Sequence, residues 1–240
     1  MSEVDALLRR LFPICRSLTG PGNRETLEVL SELVPLRVQE ILCGTVTYDW
    51  EVPKEWSVRE AWIKDSRGRT VVNFADHNLH LVGYSVPVHA HLTLKALRPR
   101  LHSLPEHPDW IPYRTSYYSP EWGFCLSDRK LRSLDPNETY EVRIDSTLDG
   151  SGSMTITDAV KEGVSGKEFL ISTYCCHPSL ANDNLSGLLL AVLLFRWISQ
   201  QKTFHSYRLI VAPETIGVIA YLASHERLMK QVHGGYVVTT

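Results

Sequence analysis

Between Glu168 and Gly217 the chain twice passes from an apolar run through a polar turn into a longer apolar stretch: EFLISTYCCHPSLANDNLSGLLLAVLLFRWISQQKTFHSYRLIVAPETIG. Residues 169–176 have the length of a buried strand and stop at His177-Pro178, and the polar loop that follows carries Asp183 into residues 185–200, long enough to demand a helix. Residues 207–212 then stop at Pro213-Glu214, ahead of a second helix over 217–232 and a last strand over 236–239. Strand, helix, strand, helix and strand in that order imply a largely parallel sheet with right-handed crossovers. The order also places a histidine, an aspartate and a glutamate where neighbouring strands end and their helices begin. That carboxyl edge is where open α/β sheets collect ligands.

The rest of the chain must fit around this βαβαβ block. Apolar positions Leu7, Leu8, Leu11, Phe12 and Cys15 recur at helical spacing ahead of the turn Thr19-Gly20-Pro21-Gly22. Asn23 reads as the cap of a helix over residues 24–33, and residues 36–42 alternate as a half-buried strand does. From 45 to 145 the texture changes to short extended runs crowded with Pro, Trp, Tyr and His, with one helix candidate at 92–101. This predicts an inserted β-rich subdomain over 45–145, with 1–44 and 146–240 forming the α/β domain. The segment SLPEHPDWIPYRTSYYSP carries too many aromatics for a flexible linker and reads as an ordered loop or a binding surface. Tyr113, Tyr117, Tyr118 and Trp122 could stack on a ligand, but the reading favoured is packing in the subdomain's core.

Composition narrows the function classes. A formal net charge of -2 carries no basic footprint for nucleic acid. The longest apolar stretch, 185–198, contains Arg196 and is too short to span a bilayer, and the first residues lack the order of a signal peptide. Five cysteines leave one unpaired in any disulfide scheme and match no zinc spacing, so a reduced, cytoplasmic setting is expected. The adjacent Cys175 and Cys176 point to opposite faces of a strand and read as small buried hydrophobes rather than as a nucleophile. Six histidines in the insertion, including His89 and His91, have no metal geometry in their spacing and read as solvated, as do His205, His225 and His233 near loops and helix ends.

Taken singly, His177, Asp183 and Glu214 have ordinary roles: a strand-end histidine bonded to backbone, a helix N-cap and a first-turn acid answering the helix dipole. Together they have the composition of a hydrolytic zinc site. Zinc takes imidazole nitrogen and carboxylate oxygen and keeps one position open, while a carboxylate off the metal can move the proton of an attacking water.

These residues resemble a known family. SLANDNLSG is similar to the metal-binding loop of the M28-type zinc aminopeptidases, and PETIG stands where those enzymes carry a Glu-Glu pair. The motifs PICRSLTG, YDWEVPKEW, NLHLVGYSVPV, HSLPEHPDWIPYRTSYY, WGFCLS, STYCCHPSLANDNLSG and PETIG more closely resemble bacterial aminopeptidase-like proteins of unknown substrate, often associated with polysaccharide-biosynthesis loci. The resemblance covers nearly the whole chain. It implies an α/β zinc-aminopeptidase fold, a mostly parallel sheet flanked by helices, with a small inserted β-rich subdomain. It implies His177 and Asp183 as metal ligands, Asp183 as a bridge between two zinc ions, and Glu214 as the general base. Thr215 stands where the second glutamate would ligate, which puts the second zinc in doubt. Further ligands, and a winged-helix region, are expected beyond Thr240, so the chain reads as truncated.

The function expected is zinc-dependent hydrolysis of an amide in a short peptide or an aminoacylated metabolite, in a polysaccharide-biosynthesis setting. The alternative is a degenerate or truncated aminopeptidase-like protein that binds without catalysis. The partner expected is a small-molecule or short-peptide substrate, with no nucleic acid and no membrane, and a homo-oligomer is left open.

Overall fold

The computed structural model of the protein describes residues 2–239. The chain divides into two compact units, residues 1–55 with 150–240, and residues 56–149.

The first unit begins with helix α1 (Glu3–Leu11). The Ser2 side chain accepts the Asp5 N–H at 3.2 Å, acids fill the first turn and Arg9 and Arg10 the last, and Leu7 and Leu11 face the core. Helix α2 (Pro21–Ser31) starts earlier than the sequence predicts, with Gly20 at its cap (φ 99°) and Pro21 at its first position. Asn23 is therefore not the cap. It is buried inside the helix, where its side chain accepts the Ser17 N–H at 3.2 Å and donates to the Ser17 carbonyl. A Cβ on Gly22 would lie 1.9 Å from the Cys15 carbonyl oxygen, so only glycine lets α2 press onto the 15–17 loop. Strand β1 (Arg37–Leu42) and the short hairpin β2 (Val46–Thr47) and β3 (Trp50–Glu51) follow.

The second unit is built on a four-stranded sheet. Strands β4 (Glu55–Lys64), β5 (Thr70–Asn73), β6 (Val88–Thr93) and β9 (Thr139–Asp149) lie in the order β5-β4-β9-β6. Between them come α3 (Leu94–Leu97), a two-stranded parallel pair of β7 (Leu101–His102) and β8 (Phe124–Cys125), and α4 (Asp128–Arg132). The helix expected over 92–101 is thus the end of a strand, one helical turn and a 3-10 turn (Arg98–Arg100). Trp56, Tyr84, Phe124 and Tyr140 fill this core. Tyr117 and Tyr118 are exposed, and Tyr113 and Trp122 half-buried, so the four aromatics expected there are not its centre.

Back in the first unit come β10 (Ser153–Lys161), β11 (Glu168–Tyr174), α5 (Ser186–Ser199), β12 (Ser206–Ala212), α6 (Ile216–Ser224), α7 (Glu226–Met229) and β13 (Val232–Val237). The sheet order is β1-β10-β12-β11-β13. β12, β11 and β13 are parallel, as βαβ crossovers require, but β1 and β10 pair antiparallel with their neighbours. Four of the five strands therefore run in one direction, and β10 alone runs against them. β10 does not stand out from the sequence pattern, because its two faces are both buried and its residues are Ser, Thr and Asp as much as Ile and Val. Leu11, Leu30, Ile171, Leu188, Val192, Phe195, Leu209 and Val211 form the centre of the core.

Candidate metal-dependent hydrolase site

The site forms where β11 and β12, parallel neighbours, reach their carboxyl ends. Beyond Tyr174 the chain continues extended through Cys175, whose N–H reaches the Ala212 carbonyl at 3.1 Å, and turns at His177-Pro178-Ser179. Ser179 holds φ 47° and its hydroxyl donates to the Phe12 carbonyl at 2.9 Å. Arg16 donates its Nε–H to the His177 carbonyl at 2.9 Å and Nη1–H to the Leu11 carbonyl at 2.6 Å. The N-terminal loop thus pins the histidine turn from beneath.

A single wide turn (Ala181–Leu185) then leads into α5, with Asp183 and Asn184 outside helical φ and ψ and a cis peptide bond between them. Asn184 is buried, donating to Thr173 Oγ1 at 3.0 Å, and a Cβ at Gly187 would meet its Oδ1 at 2.2 Å. Asp183 does not cap α5; its Oδ1 instead accepts the Tyr174 hydroxyl at 2.8 Å. Burial and then the charges of Asp183 and Glu214 push the Tyr174 phenol up to about 12, so it remains a donor at neutral pH. On the neighbouring strand Glu214 follows Pro213, and Thr215 takes φ 59° before α6 begins without a side-chain cap.

The three side chains converge. His177 is buried, with 6% of its side chain accessible, while Asp183 and Glu214 keep 49% and 48%. His177 Nδ1 lies 3.7 Å from Asp183 Oδ1, and Nε2 lies 3.6 Å from Glu214 Oε2. Both separations are too long for hydrogen bonds, and because Nδ1 and Nε2 point to opposite sides of the ring, a small cation could be shared with His177 across one of them and not both. Among the described residues no Lys or Arg pairs with either carboxylate. Imidazole, carboxylate and an open solvent side are the donor set zinc takes, so the residues fit the metal.

Two contributors are absent from the sequence reading. Cys176 Sγ accepts the Glu214 N–H at 3.3 Å and lies 3.6 Å from His177 Nδ1, so a residue that reads from the sequence as a small buried hydrophobe borders the cluster. Burial pushes its thiol above the ordinary range. Tyr174 is the other, and its position one strand repeat before Cys176 was the available signal. The remaining histidines lie elsewhere. His89 pairs with Glu141 at 2.9 Å, His205 with Ser165 at 2.7 Å and His225 with the Tyr221 carbonyl at 3.0 Å, and His233 is exposed. None of the five cysteines is in a disulfide, and among the described residues no helix is long and apolar enough to cross a membrane.

Comparison with known proteins bears on the fold. A protein of Clostridium acetobutylicum, named as a candidate polysaccharide biosynthesis protein with aminopeptidase-like domain, is 45% identical over 237 residues, 99% of this chain and 54% of that protein. The crystal structure of a candidate peptidase from the same organism matches with a TM-score of 0.95 at 45% identity, over 98% of this chain and 55% of that one. BSAP, a zinc aminopeptidase from Bacillus subtilis, matches at TM-score 0.63 and 10% identity, over 98% and 66%. A Peptidase M28 precursor from Shewanella amazonensis matches at 0.62 and 12%, over 97% and 68%. The fold is therefore that of the zinc aminopeptidases, and the chain spans about half the length of the curated relative it matches. It belongs to the family described as Domain of unknown function (DUF4910), which it matches over residues 5–240.

Proposed function

We propose that the protein is the metal-binding part of an aminopeptidase-like hydrolase that cleaves an amide bond in a short peptide or an aminoacylated metabolite. The observation that carries this reading is the convergence of His177, Asp183 and Glu214 at the carboxyl ends of adjacent parallel strands. His177 and Asp183 would hold the zinc. When bound, zinc polarises a substrate carbonyl and makes water a nucleophile at neutral pH.

The chain's own residues do the rest. Glu214, half-exposed and fixed through its backbone N–H, accepts the proton of the attacking water at Oε2 and passes it to the leaving nitrogen. The Tyr174 hydroxyl holds Asp183 Oδ1 in place, and Arg16 fixes the His177 backbone. The name of the Clostridium relative supports a polysaccharide-biosynthesis setting, in which an aminoacylated sugar would be one substrate of this class. A reduced cytoplasm agrees with five cysteines outside disulfides.

A second reading, binding without catalysis, draws on Thr215. A threonine hydroxyl at the position of the second glutamate cannot replace a carboxylate ligand, which argues for one zinc rather than two. Metal analysis of the purified protein, with an aminoacyl-amide assay before and after chelation, separates the two. Hydrolysis that disappears with the metal and returns with zinc supports the enzyme. Stoichiometric zinc without hydrolysis of any amide in a broad panel, or absence of bound zinc, defeats the enzyme and supports the protein that binds without catalysis.

A further inference from the structure

We infer that Arg16 is a positioning residue of the site: its guanidinium fork holds the main chain at His177 so that the imidazole meets Asp183 and Glu214. The inference rests on the reading of His177 as a metal-holding residue and concerns what aims that ring. The main chain there is set from both sides. Pro178 restricts His177 to extended backbone, and Arg16 takes the His177 carbonyl.

The tie is built from the end of α1. Carbonyls at the end of a helix have no partner one turn further on inside it. That of Leu11 accepts Arg16 Nη1–H at 2.6 Å, and that of Phe12 accepts the Ser179 hydroxyl at 2.9 Å. Arg16 Nε–H reaches the His177 carbonyl at 2.9 Å, across 161 residues of chain. One helix end therefore holds the turn at residue 177 and again at residue 179. Two donors on one rigid plane suit two carbonyls at a fixed spacing, which an ammonium on a flexible stem does not reproduce. Fixing the 177–178 peptide plane also fixes the direction in which the His177 side chain leaves the backbone. The ring then stands edge-on to Tyr174, with centroids 5.6 Å apart, and its two nitrogens face the two carboxylates.

An arginine kept only for the fold has different surroundings. Arg208, also buried, lies between Glu168 and Asp158. Arg16 is 2% accessible, forms no ion pair among the described residues and leaves Nη2 without a hydrogen bond. A buried charge without a counter-charge is costly, and so is a buried N–H with no acceptor. A buried polar group left unsatisfied calls for a reason beyond packing. The two carbonyls are what Arg16 serves, and one of them belongs to His177.

The test reads His177 directly, by proton–nitrogen correlation spectra of the imidazole side chains at one fixed pH, with the His177 signal identified by its loss in His177→Gln. Arg16→Lys keeps the charge and loses the fork. It should shift and broaden the His177 signal while the remaining histidines stay in place. Leu30→Ala opens a cavity in the core without touching the turn, and should lower stability and leave the His177 signal where it is. Cobalt(II) titration of the same proteins adds the affinity. A fall of roughly 10–100-fold is expected in Arg16→Lys, the loss typical of an outer partner, with little change in Leu30→Ala. If Arg16→Lys does not fold, Arg16→Gln, which reaches one carbonyl and not both, takes its place; if neither folds, the arginine serves the fold and the inference is overturned. An unmoved His177 signal in the folded variant overturns it, as does an equal shift in Leu30→Ala, or a shifted signal with cobalt affinity unchanged. Failure of the unmodified protein to bind cobalt would defeat the metal reading, and the imidazole signals would still decide whether Arg16 aims His177.

Discussion

The first unit holds two clusters of ionisable side chains, one at each end of the same strands, and they are built on opposite rules. Near the start of β12, Arg208 is 4% accessible and lies between two carboxylates. It grips Glu168 with Nε and Nη2 at 2.5 and 2.9 Å and contacts Asp158, which also accepts the Tyr221 hydroxyl at 2.7 Å and a two-pronged pair from Arg37 at 2.9 and 3.0 Å. Near the end of β12, Glu214 and Asp183 are half-exposed, face one imidazole and have no Lys or Arg partner among the described residues. The backbone there takes positive φ at Ser179 and Thr215, whereas that of β10 and β12 is regular strand. Ionisable groups that serve the fold are neutralised and hydrogen-bonded within the chain. Groups that serve chemistry keep their capacity open for something that is not the chain.

The largest effect should come from breaking the open cluster. Glu214→Gln keeps shape and backbone contacts but removes the proton acceptor. We expect turnover to fall roughly 10²–10⁴-fold. Stability should change by less than about 0.5 kcal/mol, as for a half-exposed position. Steady-state kinetics with paired urea denaturation checks this. Unchanged turnover in an active enzyme would remove Glu214 from the proton path.

Arg208→Ala should do the reverse. It leaves Asp158 and Glu168 buried with reduced compensation, and truncating one partner of such a pair costs about 3–5 kcal/mol. Zinc content of whatever remains folded should be unchanged. Denaturant midpoints measure the first quantity and metal analysis the second. A loss of metal from folded Arg208→Ala would show that the two clusters are coupled through β12.

Asp158 adds a pH dependence. Burial pushes its carboxyl up, but hydrogen bonds from Tyr221 and Arg37 and the charges of Arg37 and Arg208 outweigh it, and the net shift is downward. A carboxyl lowered in the folded state contributes stability that is present above the ordinary aspartate value near 3.9. That contribution is lost as pH falls through the folded value. Asp158→Asn should therefore cost about 1.5–3 kcal/mol at pH 7, the worth of hydrogen bonds to a charged group. The gap to the unmodified protein should close in acid, where both side chains are neutral. Thermal melts from pH 7 down to pH 2 read this out, and a gap that widens in acid would reverse the sign.

The open cluster was far more legible in the sequence than the closed one. His177, Asp183 and Glu214 sit at strand-to-helix turns that hydrophobic periodicity exposes, because each is followed by a long apolar helix or preceded by an apolar strand. Asp158 and Arg208 sit inside strands, and what makes them tolerable there is a partner 50 residues away, which no local pattern reveals. For the same reason β10 was missed: its Ser, Thr and Asp residues look like a loop until Glu40, Arg37 and Tyr221 are placed beside them. Asn23 misleads in the opposite direction, since an Asn before a helical run reads as a cap, while Pro21 starts the helix and Ser17 takes the side chain. Cys176 reads from the sequence as a small buried hydrophobe, and its nearness to His177 depends on the turn beyond Tyr174, where β11 ends and no strand pattern applies. The change in texture at 45 and 145 marks the subdomain only approximately, since the compact unit runs from 56 to 149 and the 46–51 hairpin stays with the first unit.

The smallest prediction concerns the backbone at the open end. Thr215 holds φ 59°, a region where a β-branched residue is a true outlier. Such conformations cost of order 1–3 kcal/mol and persist where surrounding structure over-determines them. Glycine removes the steric cost but adds freedom to the unfolded chain, which takes back roughly 0.4–1 kcal/mol. Thr215→Gly should therefore stabilise the protein by a net of about 1 kcal/mol. A glycine placed at Thr157, inside β10 where φ is ordinary, should only destabilise. If the strain at Thr215 serves to aim Glu214, the stabilised variant should also turn over more slowly, because the relaxed turn no longer holds Oε2 toward His177. Urea midpoints and kcat on the same two preparations decide it. A destabilised Thr215→Gly would mean that the threonine side chain makes contacts worth more than its backbone costs, and the contrast between a strained end and a relaxed end of β12 would then rest on the ion pairs alone.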